Sequence, residues 1–201
     1  APQAALSGNP MASPVLQGAE PWFDSSWFPM IPENLNVAVV TVTLRGCTGG
    51  CMGSSASDDD WIKDGVATIN HAAQLPGVDP AQAFPLGNSI GADITVDACL
   101  IISQMAGEMC KGAMPFSPGS YLGMAFQTVV PTLTEMGTPV FCYATKDDES
   151  APTCNSIDEN LEGYQKLIPS GNFHGIYAVD PQVEPPWLQP MIDFLLENIT
   201  L

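Results

Sequence analysis

Positive charge is scarce in this sequence. The 201 residues include five Lys and Arg together against 22 Asp and Glu, a formal net charge of −17. So acidic a surface repels phosphate backbones and anionic headgroups, which argues against nucleic acid and membrane surfaces as partners. No apolar run approaches the ~20 residues that a membrane-spanning helix needs. Glycine (18) and proline (19) follow no short period, which removes collagen-like and low-complexity architectures, and no internal repeat is present. Histidine is nearly absent, with only His71 and His174. The opening Ala1-Pro2-Gln3 segment has neither the basic stretch nor the apolar core of a signal peptide, so the sequence is expected to be a mature form without its leader. What is present is ordinary for one folded domain: 45% hydrophobic residues and enough length for a sizeable core.

The cysteines are Cys47, Cys51, Cys99, Cys110, Cys142 and Cys154. An even count permits full pairing, and the short separations suggest Cys47–Cys51, Cys99–Cys110 and Cys142–Cys154. A zinc site is the weaker alternative, because Cys47 and Cys51 have no second close Cys/His pair to complete four ligands. Free buried thiols are the other. Disulfides, few basic residues and an Asn198-Ile199-Thr200 sequon together fit an extracellular or periplasmic protein, the sequon counting only in a eukaryotic host. The acidity is expected to be that of an ordinary secreted protein rather than a salt adaptation.

Along the chain, short apolar runs alternate with amphipathic stretches. Residues 13–17 form a short strand candidate, and residues 37–44 (NVAVVTVT) read as a strand buried on both faces. After a Gly/Ser/Cys loop, Ser57-Asp58-Asp59-Asp60 opens a helix whose apolar face is Trp61, Ile62, Val66, Ile69 and Ala73. Gly77 and Pro80 end it. A strand over 81–86, a tight turn at 87–91 and a helix through Ile94, Ala98, Ile101 and Met105 follow. Further strands are predicted at 111–116, 139–144 and 164–168, with a helix disturbed by Pro131 over 123–136. Trp187, Leu188, Met191, Ile192, Leu195, Leu196 and Ile199 form the stripe of a C-terminal helix with Pro186 or Pro190 in its first turn. Met105, Met109 and Met114 read as core filler. This alternation predicts an α/β fold, a three-layer sandwich of about six mostly parallel strands. Ligands in such sheets sit beyond the carboxyl ends of the strands.

Gly87-Asn88-Ser89-Ile90-Gly91 places a G-x-S-x-G pattern between a predicted strand and a predicted helix. There the turn lifts a serine hydroxyl above the sheet, and the amide of Ile90, at the helix N-terminus, suits an oxyanion. The bland alternative is a Gly-flanked N-cap serine. A serine nucleophile needs a base, usually histidine. His71 lies upstream, within a helix, and reads as a surface residue. His174 follows the last strand and satisfies the order serine, acid, histidine. The acid is expected after the strand at 139–144, where Asp147, Asp148 and Glu149 stand; Asp148 is preferred over Asp147, against the alternative of a merely solvated acidic loop.

These residues resemble the α/β-hydrolase superfamily, in particular its small dienelactone-hydrolase-like and bacterial esterase-like members. The resemblance rests on Gly77-Val78-Asp79-Pro80, on Leu86 to Ala92 around the serine, on Leu44-Arg45-Gly46, on Pro139 to Asp148 and on His174-Gly175. It covers roughly residues 13–199, so that residues 13–201 would be one hydrolase domain and 1–12 an N-terminal extension. The resemblance implies Ser89, Asp148 and His174 as catalytic residues, and Ile90 and Ala19 as the oxyanion amides. Trp22, Phe23, Trp27 and Phe28 follow at once; a helix packed on the sheet is the preferred reading of these aromatics, and a substrate wall over the serine, formed by Trp22 and Phe23, is the alternative. Gln17-Gly18 departs from the His-Gly often found beside the second oxyanion amide. Residues 1–12 are too short for the two antiparallel strands that usually begin the fold, and the segment between the strands at 111–116 and 139–144 is too short for a large cap domain. The implied activity is that of a secreted serine hydrolase for small or polymeric carboxylic esters, with no metal or organic cofactor. A lactonase or peptidase with the same triad and a non-catalytic binding protein on the same scaffold are the alternatives.

Overall fold

Charge, hydrogen-bonding needs and apolar spacing set the elements of the first part of the chain. The computed structural model describes residues 3–6, 37–47, 55–106, 110–175 and 188–199. They belong to two compact units, residues 1–78 and 79–201. In the first, β1 (Gln3–Leu6) pairs antiparallel with β2 (Ala38–Thr41), Gln3 opposite Thr41 and Leu6 opposite Ala38. No strand is expected within residues 1–12, since four small and mixed residues have no periodicity of their own; the β2 edge supplies the pairing. β2 is also shorter and less buried than expected. It stops at Thr41, Val42 is 38% exposed, and a turn closed by the Cys47 N–H on the Leu44 carbonyl (3.0 Å) follows.

Helix α1 (Asp58–Ala72) begins at a capping box: the Ser57 hydroxyl accepts from the Asp60 N–H, and the Asp60 carboxylate accepts from the Ser57 N–H. Its buried face is Trp61, Ile62, Gly65 and Ile69, close to the predicted stripe. The Trp61 indole N–H donates to the Arg45 carbonyl (3.0 Å), while the Arg45 guanidinium spans Asp60 (3.1 Å) and Asp64. Turn and helix are thus held together by an apolar ring with a polar handle and an ion-pair fork.

The second unit is built on a parallel sheet of order β3-β4-β5-β6. The strands are β3 (Leu86–Asn88), β4 (Met114–Phe116), β5 (Val140–Tyr143) and β6 (Tyr164–Leu167). β3 lies later than the predicted 81–86: within that range Ala83 makes an isolated bridge and only Leu86 belongs to the strand, whose ladder runs on through Gly87 and Asn88 opposite Pro115 and Phe116. Helices α2 (Ile90–Ala106), α3 (Phe126–Glu135), α4 (Ala151–Asn155) and α5 (Leu188–Asn198) complete the unit. α3 continues through Pro131.

Strand alternation assigns the layers. Phe141 and Tyr143 share one face of β5 and Cys142 the other. Phe194 of α5 stacks on Phe141 (centroids 5.6 Å apart), whereas Cys154 of α4 is disulfide-bonded to Cys142. Helices therefore cover both faces, and the architecture is the expected three-layer α/β sandwich. Between β4 and β5 the chain holds α3 and its turns, with no cap domain among the described residues. The core is Phe116, Phe126, Val129, Val130, Leu133, Val140, Tyr143, Met191 and Phe194, all at most 1% exposed.

Three expectations shift. In α5 the buried stripe is Met191, Ile192, Phe194 and Leu195, while Leu196 is exposed; Phe194 takes the place nearest β5. Met105 is 80% exposed at the end of α2, so of the three methionines read as core only Met114 is buried among the described residues. Helix α4, too short for a periodic signal and carrying Pro152, was not anticipated. Disulfides join Cys99 to Cys110 and Cys142 to Cys154, as the short separations suggested. Cys51, and with it the Cys47–Cys51 pairing, lies outside the described residues, as does the strand candidate at 13–17.

Candidate active site

Four neighbouring parallel strands each end on one residue or loop of the site. β3 ends at Asn88 and delivers Ser89, which has a left-handed backbone (φ 52°) rare for a residue with a side chain. Its N–H donates to the Phe116 carbonyl (2.9 Å), and its carbonyl accepts from the Ala92 N–H (2.8 Å), so the turn is locked to β4 on one side and to α2 on the other. Gly87 is required by space. A Cβ there would run into the Gly91 carbonyl and come within 2.7 Å of the Thr95 hydroxyl. Ile90 is the first residue of α2, so its amide is among those with no partner inside the helix.

β5 leads into the acid loop. The ladder between β5 and β6 continues past both strands: the Lys146 N–H donates to Pro169 (2.7 Å), the Asp147 N–H to Gly171 (2.8 Å) and the Thr145 hydroxyl to the Phe173 carbonyl (2.8 Å). These bonds zip the acid loop to the loop that carries His174. Asp148 is buried, its side chain 1% exposed, whereas Asp147 and Glu149 are exposed. Asp148 Oδ1 lies 2.8 Å from His174 Nδ1 and accepts from the Ser150 N–H (3.3 Å). Its other oxygen, Oδ2, accepts from the Ser117 hydroxyl (2.7 Å).

His174 Nε2 lies 3.0 Å from Ser89 Oγ. An ionised carboxylate only accepts, so Nδ1 carries the imidazole proton and Nε2 is left to accept from the serine hydroxyl. The next residue, Gly175, has φ 60° and is buried, with Asn88 Oδ1 3.5 Å from where a Cβ would stand; a left-handed glycine suits the turn that aims His174 at the serine. Geometrically this is a hydrogen-bonded chain of carboxylate, imidazole and hydroxyl, the arrangement that converts a serine into a nucleophile.

The structure brings together Ser89, Asp148 and His174, with Ile90 immediately after the serine. His71 is exposed in the last turn of α1. Ala19, Trp22, Phe23, Trp27 and Phe28 lie outside the described residues. Sequence reasoning missed Ser117, which holds the second oxygen of Asp148, and Ser150, whose hydroxyl is 3.5 Å from His174 Nδ1. The signal for Ser117 was its place at the carboxyl end of a parallel strand. Behind the site, Asp93 of α2 is buried and accepts from the amides of Gly119, Ser120 and Tyr121; burial nonetheless pushes its carboxyl upward. Asp97, one turn on, is pushed up to about 7 by burial and by the nearby charge of Asp93. Among the described residues no cluster of three His, Cys, Asp or Glu side chains is arranged to hold a metal ion.

No protein-family model matches the chain, and no curated protein matches it in sequence. Solved structures do match in fold. An esterase/lipase from an uncultured bacterium superposes with a TM-score of 0.56 at 15% identity, covering 81% of this chain and 66% of that one. Esterase Est22 gives 0.57 at 16% identity, with 85% and 63% covered. A protein named FAE gives 0.53 at 13%, with 79% and 67% covered. The chain thus spans about two thirds of the length of these structures. At such identities the likeness is one of fold: the chain has the α/β fold of these structures.

Proposed function

We propose that this protein is a secreted serine hydrolase that cleaves carboxylic esters through Ser89, His174 and Asp148. The observation that carries the reading is the continuous chain from Asp148 Oδ1 to His174 (2.8 Å) and from His174 Nε2 to Ser89 Oγ (3.0 Å). The esterase names of the structures sharing the fold support the substrate class, and two disulfides support an oxidising compartment.

In the proposed reaction His174 Nε2 takes the Ser89 proton as Oγ attacks the ester carbonyl. The developing oxyanion is held by the Ile90 amide and, on the family resemblance, by that of Ala19. Collapse expels the alcohol, which receives the proton from His174, and leaves an acyl group on Ser89. Water, deprotonated by His174, then attacks the acyl carbon and releases the acid. Asp148 keeps the imidazole in the productive tautomer and stabilises its cation. Trp22 and Phe23 are proposed to flank the acyl group. The net charge of −17 disfavours strongly anionic substrates.

Hydrolysis of short-chain p-nitrophenyl esters tests this reading. The wild type should turn over, and Ser89→Ala and His174→Ala should each lose all but a small residue of that activity. A folded wild type that cleaves no ester would contradict it, and retained binding of the same esters would move the scaffold to a binding role.

A further inference from the structure

The site contains a second left-handed serine, in register with the first. Asn88 of β3 and Phe116 of β4 are partners in the parallel ladder. The residues that follow them, Ser89 and Ser117, both have φ 52°. Each sends its N–H to the next strand: Ser89 to Phe116 (2.9 Å) and Ser117 to Tyr143 (2.7 Å). The same unfavourable turn is therefore made twice, one strand apart. A strained residue with a side chain persists where its surroundings over-determine it, and such residues cluster at functional sites.

We propose that Ser117 is a positioning residue of the site, fixing acid and histidine against each other; this rests on the serine-hydrolase reading. Ser117 is fully buried, so its hydroxyl has no recourse to water. It accepts from the Gly175 N–H (3.1 Å) and sits 2.7 Å from Asp148 Oδ2. An amide N–H only donates, so the hydroxyl proton points at the carboxylate. One hydroxyl thus grips the acid on one side and the residue after His174 on the other, from a strand that carries neither. With Oδ2 held, Oδ1 is left facing His174 Nδ1. Without Ser117 the carboxylate is held through Oδ1 alone, by the Ser150 N–H (3.3 Å) and His174 Nδ1 (2.8 Å), and the histidine loop loses a tether. The titratable groups flanking the pair do not replace it: Asp147 is exposed, and Glu149 accepts from the Tyr121 hydroxyl (3.2 Å).

The variants are Ser117→Gly, which suits the left-handed backbone, and Ser117→Ala, which keeps its strain; both delete the hydroxyl. Three readouts are compared with wild type: the melting temperature, the rate of Ser89 labelling by a fluorophosphonate from pH 5 to 9, and the downfield proton NMR resonance of the imidazole Nδ1–H. Both folded variants should label ten- to hundredfold more slowly, on the order of the loss of one hydrogen bond to a charged group. The acid limb of the labelling profile should move to lower pH, because a loosened carboxylate stabilises the imidazolium less. The Nδ1–H resonance should weaken or disappear. Folded variants with wild-type rates, limb and resonance overturn the proposal, whatever their melting temperature. An upward shift of the limb at undiminished rate also overturns it, since Ser117 would then only have drawn charge from Asp148. If wild type is not labelled, the hydrolase reading fails by itself; the resonance then still decides whether Ser117 orders the pair.

Discussion

Cys142 and Cys154 bracket Asp148: one lies on β5, the other on α4, and the disulfide between them closes the loop that carries the acid. Both sulfurs are buried, and the Tyr164 hydroxyl donates to the Cys154 carbonyl (2.7 Å) from the next strand. The cross-link spans 12 residues, a loop for which closure gives about 3 kcal/mol. Replacing both cysteines with alanine should lower Tm by roughly 6–12 °C for a chain of this size. Ester turnover should fall as well, since the acid loop is the part released. Calorimetry and steady-state assays on the double variant check both, and an unchanged Tm would remove the disulfide from the account.

The two neighbouring acids should behave differently. Asp148→Asn keeps the shape but permits the wrong imidazole tautomer, and turnover should fall by roughly 10⁴, the loss seen for this change in serine proteases. Asp147→Asn should leave turnover within about twofold, because that carboxylate is exposed and only its backbone N–H is used. Equal effects at the two positions would mean that the acid is misassigned.

The glycines of the serine turn are not equivalent. Gly87→Ala forces a Cβ into the Gly91 carbonyl and should cost at least ~1–3 kcal/mol together with the geometry of Ser89. At Gly91 no atom stands within 4 Å of the added methyl, and the residue lies in the first turn of α2. Gly91→Ala should therefore be neutral or stabilising by up to ~1 kcal/mol. Urea unfolding of both variants distinguishes them, and reversed signs would contradict the packing described.

Asp97 predicts a pH dependence of stability. Its folded pKa, about 7, lies above the usual ~4 of an unfolded aspartate, with Asp93 shifted in the same direction. The folded state keeps the proton where the unfolded state has lost it. The contribution is complete below pH ~4 and is lost as pH rises through about 7. Wild type should be less stable at pH 8 than at pH 5, and Asp97→Asn should lose less over the same interval. Equal losses in denaturant titrations would show Asp97 to be ionised in the folded protein.

Much of this architecture was legible because local chemistry and tertiary packing agree. Ser57, the acids after it and the spacing of Trp61, Ile62 and Ile69 define α1 without further information. Gly87 to Gly91 names the serine turn, and the order of Ser89, acid and His174 follows from the two histidines available. Asp148 was harder, because three adjacent acids look alike until burial separates them. Ser117 was legible only as a residue at the carboxyl end of a strand: its partners lie 31 and 58 residues away, and nothing local marks a serine that bonds across strand ends. In α5, Leu196 and Phe194 are equally apolar, and only the position of Phe141 decides which one is buried.

Every step of the proposed reaction depends on activation of Ser89 by His174. A fluorophosphonate probe applied to the folded wild type and to His174→Ala, followed by peptide mass mapping, tests it most directly. A single adduct on Ser89 is expected in wild type and none, or a trace, without His174. A folded wild type that carries no adduct, or a Ser89 adduct formed equally fast without His174, would contradict it.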